Sequence, residues 1–327
     1  MRFLLDTEQT EFVRTLDRLL TAADTPATVR AWAAGDHAPG RALWERLAAT
    51  GVLALAVPEE YDGLGRLPVE LAAAFVELGR HAVPGPLAET VALCALLRSL
   101  AERAPAKEWL PRIASGEVLV TLAPAGAYAL DADAADAVFH LGADGLAVGG
   151  GHGPVRTSLD PARRLARPAG GDLLAADGPA LREAVREAAD WAAFATAAQA
   201  LGVGLALLGR TVAHAKERTQ FGTAIGGFQA VKHQLANALV GLEFARPLLY
   251  GAAVALAAGS PGAGREVAAA KVACGEAAYA AARTALQLHG AIGYTAEYDL
   301  SLWIGKARAL RTAWGTPSEC RARVLSG

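Results

Sequence analysis

Apolar residues along this chain recur with two different periods, and the change of period divides it in three. From Asp6 to about Ser115 the spacing is helical: Phe12, Leu16, Leu19 and Leu20 repeat at three and four residues, as do Leu43, Trp44 and Leu47. Asp6-Thr7-Glu8 supplies capping side chains and negative charge to the first helix. Pro58 and Asp62-Gly63-Leu64-Gly65 read as turns, and a further helix over about Val69 to Arg80 stops before Pro84 and Pro86. From Glu117 to about Gly171 alternation takes over. Val118, Val120 and Leu122 alternate, and Val138–Leu141, Gly142-Ala143-Asp144-Gly145 and Leu146–Val148 predict a β-hairpin around a four-residue turn. One more short strand is expected at Val155, Ser158 and Leu159. From about Pro179 to Val324 the pattern is helical again, in Ala-rich segments broken at 222–227, 259–264 and 290–293, as in an antiparallel bundle. The expected domains are 1–116 (helical), 117–175 (β) and 176–327 (helical bundle).

Composition narrows the function classes. A chain of 327 residues that is 53% hydrophobic can bury a sizeable core. The formal charge of −2, with no Lys/Arg block, argues against nucleic acid as a partner. Cys94, Cys274 and Cys320 are scattered singly, which argues against a disulfide framework and reads as three small buried hydrophobes. Met1–Asp6 lacks a signal-peptide layout. The most apolar window, Ala192 to Gly209, carries Thr196 and Gln199 and is Ala/Gly-rich, so it reads as a buried helix, with no membrane span. A cytoplasmic protein is expected. Gly149-Gly150-Gly151 lacks the GxGxxG spacing between a strand and a helix, which excludes a Rossmann reading.

Several ordered motifs then stand out. Arg218-Thr219-Gln220-Phe221-Gly222, Ile225 and Phe228–Ala236 resemble the RxxFGxxIxxFQxxxxxLA segment of acyl-CoA dehydrogenases. Gln287–Tyr298 resembles that family's QxxGGxGYTxEY segment, and Asp299–Thr316 its closing helix with the final Gly-Thr. Leu43-Trp44, Val57–Gly65, Glu77-Leu78-Gly79 and Leu110–Glu117 are similar to its N-terminal motifs. The resemblance implies an acyl-CoA dehydrogenase-like fold, mostly α with a small β domain: an N-terminal helical domain, a shortened middle β domain and a C-terminal antiparallel four-helix bundle. It implies FAD as cofactor, with Arg218, Gln220, Phe221, Gln229, Gln287 and Gly290 reaching the ADP half of a flavin held mainly by a neighbouring subunit. A pyrophosphate and an adenine want a cation, amides and close backbone approach, which these residue types supply. His289 falls where the family has an apolar residue and reads as packing.

Two departures qualify the resemblance. The family's base is a Glu that removes the α-proton of the acyl-CoA, usually just before the closing Gly-Thr; here that position is Trp314, which accepts no proton. Where other members carry the Glu, on the helix leading into RxxFG, this chain has Ala192 and Ala193. Asp190 is the weak candidate for a displaced base, on a different face of that helix. The family's flavin-ring sequence, roughly TEPxAGSD, is replaced by Thr121–Tyr128, and no counterpart of its later WIT(N/S) sequence is present. The pattern resembles the non-catalytic subunit of heteromeric (α2β2) actinobacterial acyl-CoA dehydrogenases of steroid side-chain degradation. The expected partners are a homologous catalytic subunit, an acyl-CoA substrate and an electron-transfer flavoprotein. A homo-oligomeric flavoenzyme using Asp190 or His289, and a non-enzymatic scaffold, remain the alternatives.

Overall fold

The computed structural model describes residues 4–100 and 102–326. The leader reading of Met1-Arg2-Phe3 therefore lies outside the described residues. The chain falls into two compact units, one built from the residues up to Thr21, Ala72–Val83 and everything from Thr196, the other from Ala22–Leu71 and Pro84–Ala195.

The first unit is helical. It opens on α1 (Thr7–Thr21), started by a reciprocal cap: Gln9 N donates to Asp6 Oδ1 at 2.8 Å, and Asp6 N donates to Gln9 Oε1 at 3.0 Å. Leu16 and Leu20 of this helix are buried, as their spacing predicts. Its other helices are most of α4 (Pro68–Arg80), the later part of α7 (Pro179–Glu217), α8 (Gln229–Ala257), α9 (Ala263–His289), α10 (Leu300–Leu310) and α11 (Pro317–Leu325), with a small hairpin between α7 and α8. Helices α8 and α9 pack along each other, and α9 also packs against α10 and α11. Helices α4 and α7 cross at backbone distance, which only glycine permits. A Cβ on Gly79 would sit 2.1 Å from Gln199 O, and one on Gly202 would sit 1.9 Å from Val76 O.

The second unit carries α2 (Thr25–Ala33), α3 (Ala38–Ala49), α5 (Leu87–Ser99), α6 (Ala104–Ala114), the opening turns of α7 and the β region. There β1 (Val120–Ala123), β3 (Ala137–Leu141), β4 (Gly145–Gly149) and β6 (Asp172–Ala176) form one sheet in the order β1-β3-β4-β6, while β2 (Ala129–Leu130) pairs with β5 (Leu165–Ala166). The expected hairpin is β3–β4, with Leu141 opposite Leu146 and Gly142 N bonded to Gly145 O at 2.8 Å.

Two expectations are corrected. No strand forms at Val155–Leu159; only Arg156 bridges, to Leu165. The sheet gains β6 instead, a segment without alternation that the Gly170-Gly171 turn delivers to the β4 edge. Strand β1 is buried on both faces rather than alternately, because it runs parallel beside β3 while Thr90 of α5 donates to Val120 O at 3.1 Å.

Cys94, Cys274 and Cys320 are free and buried, and burial pushes the Cys94 and Cys274 thiols up to about 12. Helices α7 and α8 are each long and apolar enough to cross a membrane. The apolar stretch of α7 is mostly buried inside the protein, whereas most of that of α8 is not. Val240, Phe244 and Leu248, four residues apart along α8, are all exposed.

Candidate functional site

The RxxFG motif folds into a minimal hairpin after α7. Strands β7 (Thr219–Gln220) and β8 (Thr223–Ala224) pair antiparallel, closed outside the turn by Ile225 N bonding Arg218 O at 2.8 Å. The two-residue turn is Phe221-Gly222, with φ of 53° and 79°. A tight hairpin of the primed type requires left-handed backbone at both positions, which is natural for Gly and strained for Phe. Phe221 is 93% exposed, and its ring stands edge-on to that of Phe228, 6.2 Å away. Arg218, Gln220 and Gln229 are exposed as well, and the Arg218 guanidinium makes no hydrogen bond or ion pair among the described residues. Gln229 is the first residue of α8.

Gln287 and Gly290 lie elsewhere in the same unit. They line an open cavity of about 740 Å³ between α8 and α9, together with Gln234, Asn237, Arg283, Thr284 and Tyr294. Gly290 ends α9 at φ 64°, ψ −140°, a conformation reserved for glycine. The expected flavin residues thus divide between the hairpin with the start of α8 and this cavity. Arg283 was missed in the sequence: in an Ala-rich helix a lone Arg reads as a solvated charge, and only its position one turn before Gln287 could have flagged it.

His289 packs as expected, and in a particular way. Its Nδ1 bonds Ala285 O at 2.8 Å, and its ring stacks on His214 at 4.0 Å. Burial holds both imidazoles below the ordinary value, and for His214 the neighbouring His289 and Arg218 add to this.

Trp314 occupies a second strained loop, with φ 52° before Gly315 at φ 125°. This loop is pinned from both sides. The buried Lys271 Nζ donates to Leu310 O, Arg311 O and Gly315 O at 3.0, 3.1 and 3.2 Å. Thr316 then starts α11 with a capping box to Glu319. Ala192 and Ala193 are buried, while Asp190, on the fourth turn of α7, is half-buried and engaged within the protein.

In the second unit, the end of β1 is closed. Thr121, Leu122 and Ala123 are buried, the following turn is tied by Ala127 N to Pro124 O at 3.0 Å, and Arg167 both bonds Gly126 O and covers the Tyr128 ring at 4.3 Å. Glu89, Asp131 and Asp160 are buried close by in the same unit, and burial raises the Asp131 carboxyl to about 7.

The residues present fit the ADP half of a flavin: two unpaired guanidinium groups, amides, and a glycine whose backbone a ligand can approach. They fit the ring half poorly, since the β1 end offers neither an acidic residue nor a Ser-Asp pair.

Comparison with known proteins places the chain in a family. The family models described as acyl-CoA dehydrogenase C-terminal domain and N-terminal domain match residues 182–325 and 6–117. The chain is 35% identical to the acyl-CoA dehydrogenase IpdE2 of Mycobacterium tuberculosis, over 98% of this chain and 97% of that one. Among solved structures it is similar to the Tcur3481-Tcur3483 steroid ACAD, at 25% identity and TM-score 0.80 over 97% and 96% of the two chains. It shares the fold of the ChsE4-ChsE5 complex of M. tuberculosis, at 24% identity and TM-score 0.85 over 99% and 98%. Motifs, fold and relatives converge: this chain belongs to the acyl-CoA dehydrogenase family, whose cofactor is FAD.

Proposed function

We propose that this chain is the non-catalytic subunit of a heteromeric, FAD-dependent acyl-CoA dehydrogenase that introduces an α,β double bond into a bulky acyl-CoA. The observation that carries the reading is the outward-facing hairpin. Phe221 is held 93% exposed in a strained conformation, beside an unpaired Arg218, on a chain with Trp314 at the position of the base. Strain of this kind persists only where the surrounding structure enforces it, and it concentrates at binding and catalytic positions.

FAD would supply the acceptor for the hydride that leaves Cβ. This chain's part is to grip the ADP half through Arg218, Gln220, Phe221, Gln229, Gln287 and Gly290. The α-proton would pass to a carboxylate of the partner, a homologous chain, two copies of each forming the assembly. The exposed Val240, Phe244 and Leu248 of α8 suit an apolar partner face. An electron-transfer flavoprotein would then accept the electrons. The similarity to a steroid ACAD and to the two-component ChsE4-ChsE5 complex favours a steroid side-chain thioester as substrate class. The three-domain division at about residues 116 and 175 is part of the same proposal. A self-sufficient enzyme using His289 is disfavoured by the Nδ1 bond and the stack that already engage its ring.

Expression alone and together with a homologous chain carrying the Glu tests this reading. Flavin absorbance, mass in solution and enoyl-CoA formation should all require coexpression. A yellow, active assembly of this chain alone would overturn the proposal in favour of a homo-oligomeric enzyme; a chain that stays colourless and unpaired beside every homologue would overturn it in favour of a scaffold.

A further inference from the structure

Helices α1 and α4 of the helical unit bring together a set of side chains that the flavin reading leaves unused. Asp17 of α1, Glu77 of α4 and His81, one residue past the end of α4, each hold one oxygen or nitrogen within 4.8 Å of the other two. Glu77 and His81 stand four residues apart, and His81 N donates to Glu77 O at 3.1 Å, so the helical turn continues and both side chains share one face. Glu77-Leu78-Gly79 is one of the motifs singled out in the sequence, yet no step of the proposed reaction uses its carboxylate.

The three groups are unevenly satisfied. His81 Nε2 and Asp17 Oδ1 lie 2.9 Å apart, and the Asp17 side chain is half exposed. Glu77 differs: its side chain is only 8% exposed, and its Oε2 makes no hydrogen bond. The charged group paired with it is Arg80, whose Nε stands 3.3 Å away and whose own side chain is about half exposed. A buried carboxylate ordinarily collects hydrogen bonds, because its desolvated charge is otherwise left uncompensated. A buried carboxylate short of donors, beside a second carboxylate and an imidazole, is a donor set that suits a divalent cation. The imidazole favours a transition ion over Mg²⁺ or Ca²⁺, whose sites are built of oxygen. Neighbouring ligands of one tetrahedral ion stand about 3.3 Å apart when each bond is about 2.0 Å, close to the His81–Asp17 spacing. The exposure of Asp17 leaves it free to close the wider gaps.

We propose that Asp17, Glu77 and His81 form a binding site for a divalent transition ion such as Zn²⁺, which clamps α1 to α4. All three ligands belong to this chain, so the site requires neither the partner nor the flavin of the function proposed above. The group the ion displaces is the Arg80 guanidinium, which turns to solvent.

The untagged assembly obtained by coexpression, wild type and variants, is dialysed against Zn²⁺ and then buffer, and bound zinc is counted by mass spectrometry per copy of this chain. The variants change this chain alone, so the difference from wild type isolates its metal from any that the homologue holds. The same count on the full chain alone keeps the test independent of the assembly. Wild type should hold about one Zn²⁺ per copy, and Glu77→Gln and His81→Ala should each weaken binding roughly tenfold or more. Arg80→Gln, which removes the competing cation, should tighten it. Zinc X-ray absorption should show nitrogen and oxygen ligands at about 2.0–2.2 Å. Zn²⁺ should raise the melting temperature of the wild type and not of the two ligand variants. Asp17→Ala, at a half-exposed position, gives the same reading where a change at buried Glu77 disturbs the fold. Wild type that holds no more zinc than the variants overturns the proposal and leaves two ion pairs, Asp17–His81 and Glu77–Arg80. A sulfur shell at about 2.3 Å would put the metal on a cysteine and overturn it as well.

Discussion

Two loops of the helical unit carry the same unusual pair, an aromatic residue in left-handed backbone followed by a left-handed glycine. At the hairpin the pair is Phe221-Gly222, with φ of 53° and 79°; at the closing loop it is Trp314-Gly315, with φ of 52° and 125°. Their surroundings differ. Trp314 is half-buried in a loop that Lys271 and the Thr316–Glu319 box hold from within the chain. Phe221 is exposed, and the charged and amide side chains beside it are exposed too. A pinned loop that presents Trp offers a fixed shape and no proton acceptor at that position. An unsatisfied loop under strain keeps a surface for something outside the chain. The pair of loops therefore separates a turn held from within the chain from a turn left open to its surroundings.

The largest effect should come from breaking the pinned loop. Lys271→Met leaves three carbonyls without their donor, in a region where Lys271 is only 2% exposed. A loss of about 2–4 kcal/mol is expected, read as a lower denaturation midpoint. A loss within error of zero would mean that the loop is held by its caps alone.

Lys271 was not legible in the sequence, because a Lys in an Ala-rich helix reads as solvated, and its three acceptors lie about forty residues downstream. The hairpin motif was legible as text, since Arg218–Gly222 matches a family segment, but nothing in those letters says that Phe221 turns outward in a left-handed conformation. The β3–β4 turn was legible because Gly142–Gly145 carries its own turn chemistry. Strand β6 was not, because Asp172–Ala176 has no alternation and joins the sheet only by pairing with β4.

The open loop should respond in binding rather than in stability. On the proposed function, Arg218→Ala would remove a charge-assisted phosphate contact worth about 1.5–3 kcal/mol, and should strip flavin from the proposed complex without moving the melting temperature of this chain. Unchanged flavin retention would remove Arg218 from the site. The complementary change, Trp314→Glu, should not create activity in the chain alone, because the closed β1 end still lacks ring contacts; any dehydrogenation by that variant alone would show that the pinned loop is one residue from competence.

Phe221→Asn sharpens the same contrast at smaller scale. Asn tolerates left-handed backbone and is favoured in two-residue hairpins. The isolated chain should gain about 0.5–1 kcal/mol, while flavin or partner affinity falls. Opposite signs in the two measurements are the signature of strain kept for binding. If stability and binding both fall, the exposed ring is supporting the hairpin instead.

The smallest effect concerns the histidines behind the hairpin. His214 O accepts the Arg218 amide, and the His214 ring stacks on His289, with Arg218, Glu217 and Tyr298 as the charged or titratable neighbours. Both imidazoles are held below their ordinary value of 6.5, mainly by burial. The folded chain therefore binds fewer protons than the unfolded chain near and below that pH. Stability from these groups is present above 6.5 and is lost as the pH falls through and below it. His289→Phe keeps an aromatic ring in the stack, removes one of the two titrations and relieves His214 of a like neighbour. Its denaturation midpoint should fall less than the wild type's between neutral and acid pH, by a margin smaller than any change above. Identical acid limbs would show that the stack stays neutral throughout, leaving the His214–Arg218 end of α7 insensitive to pH.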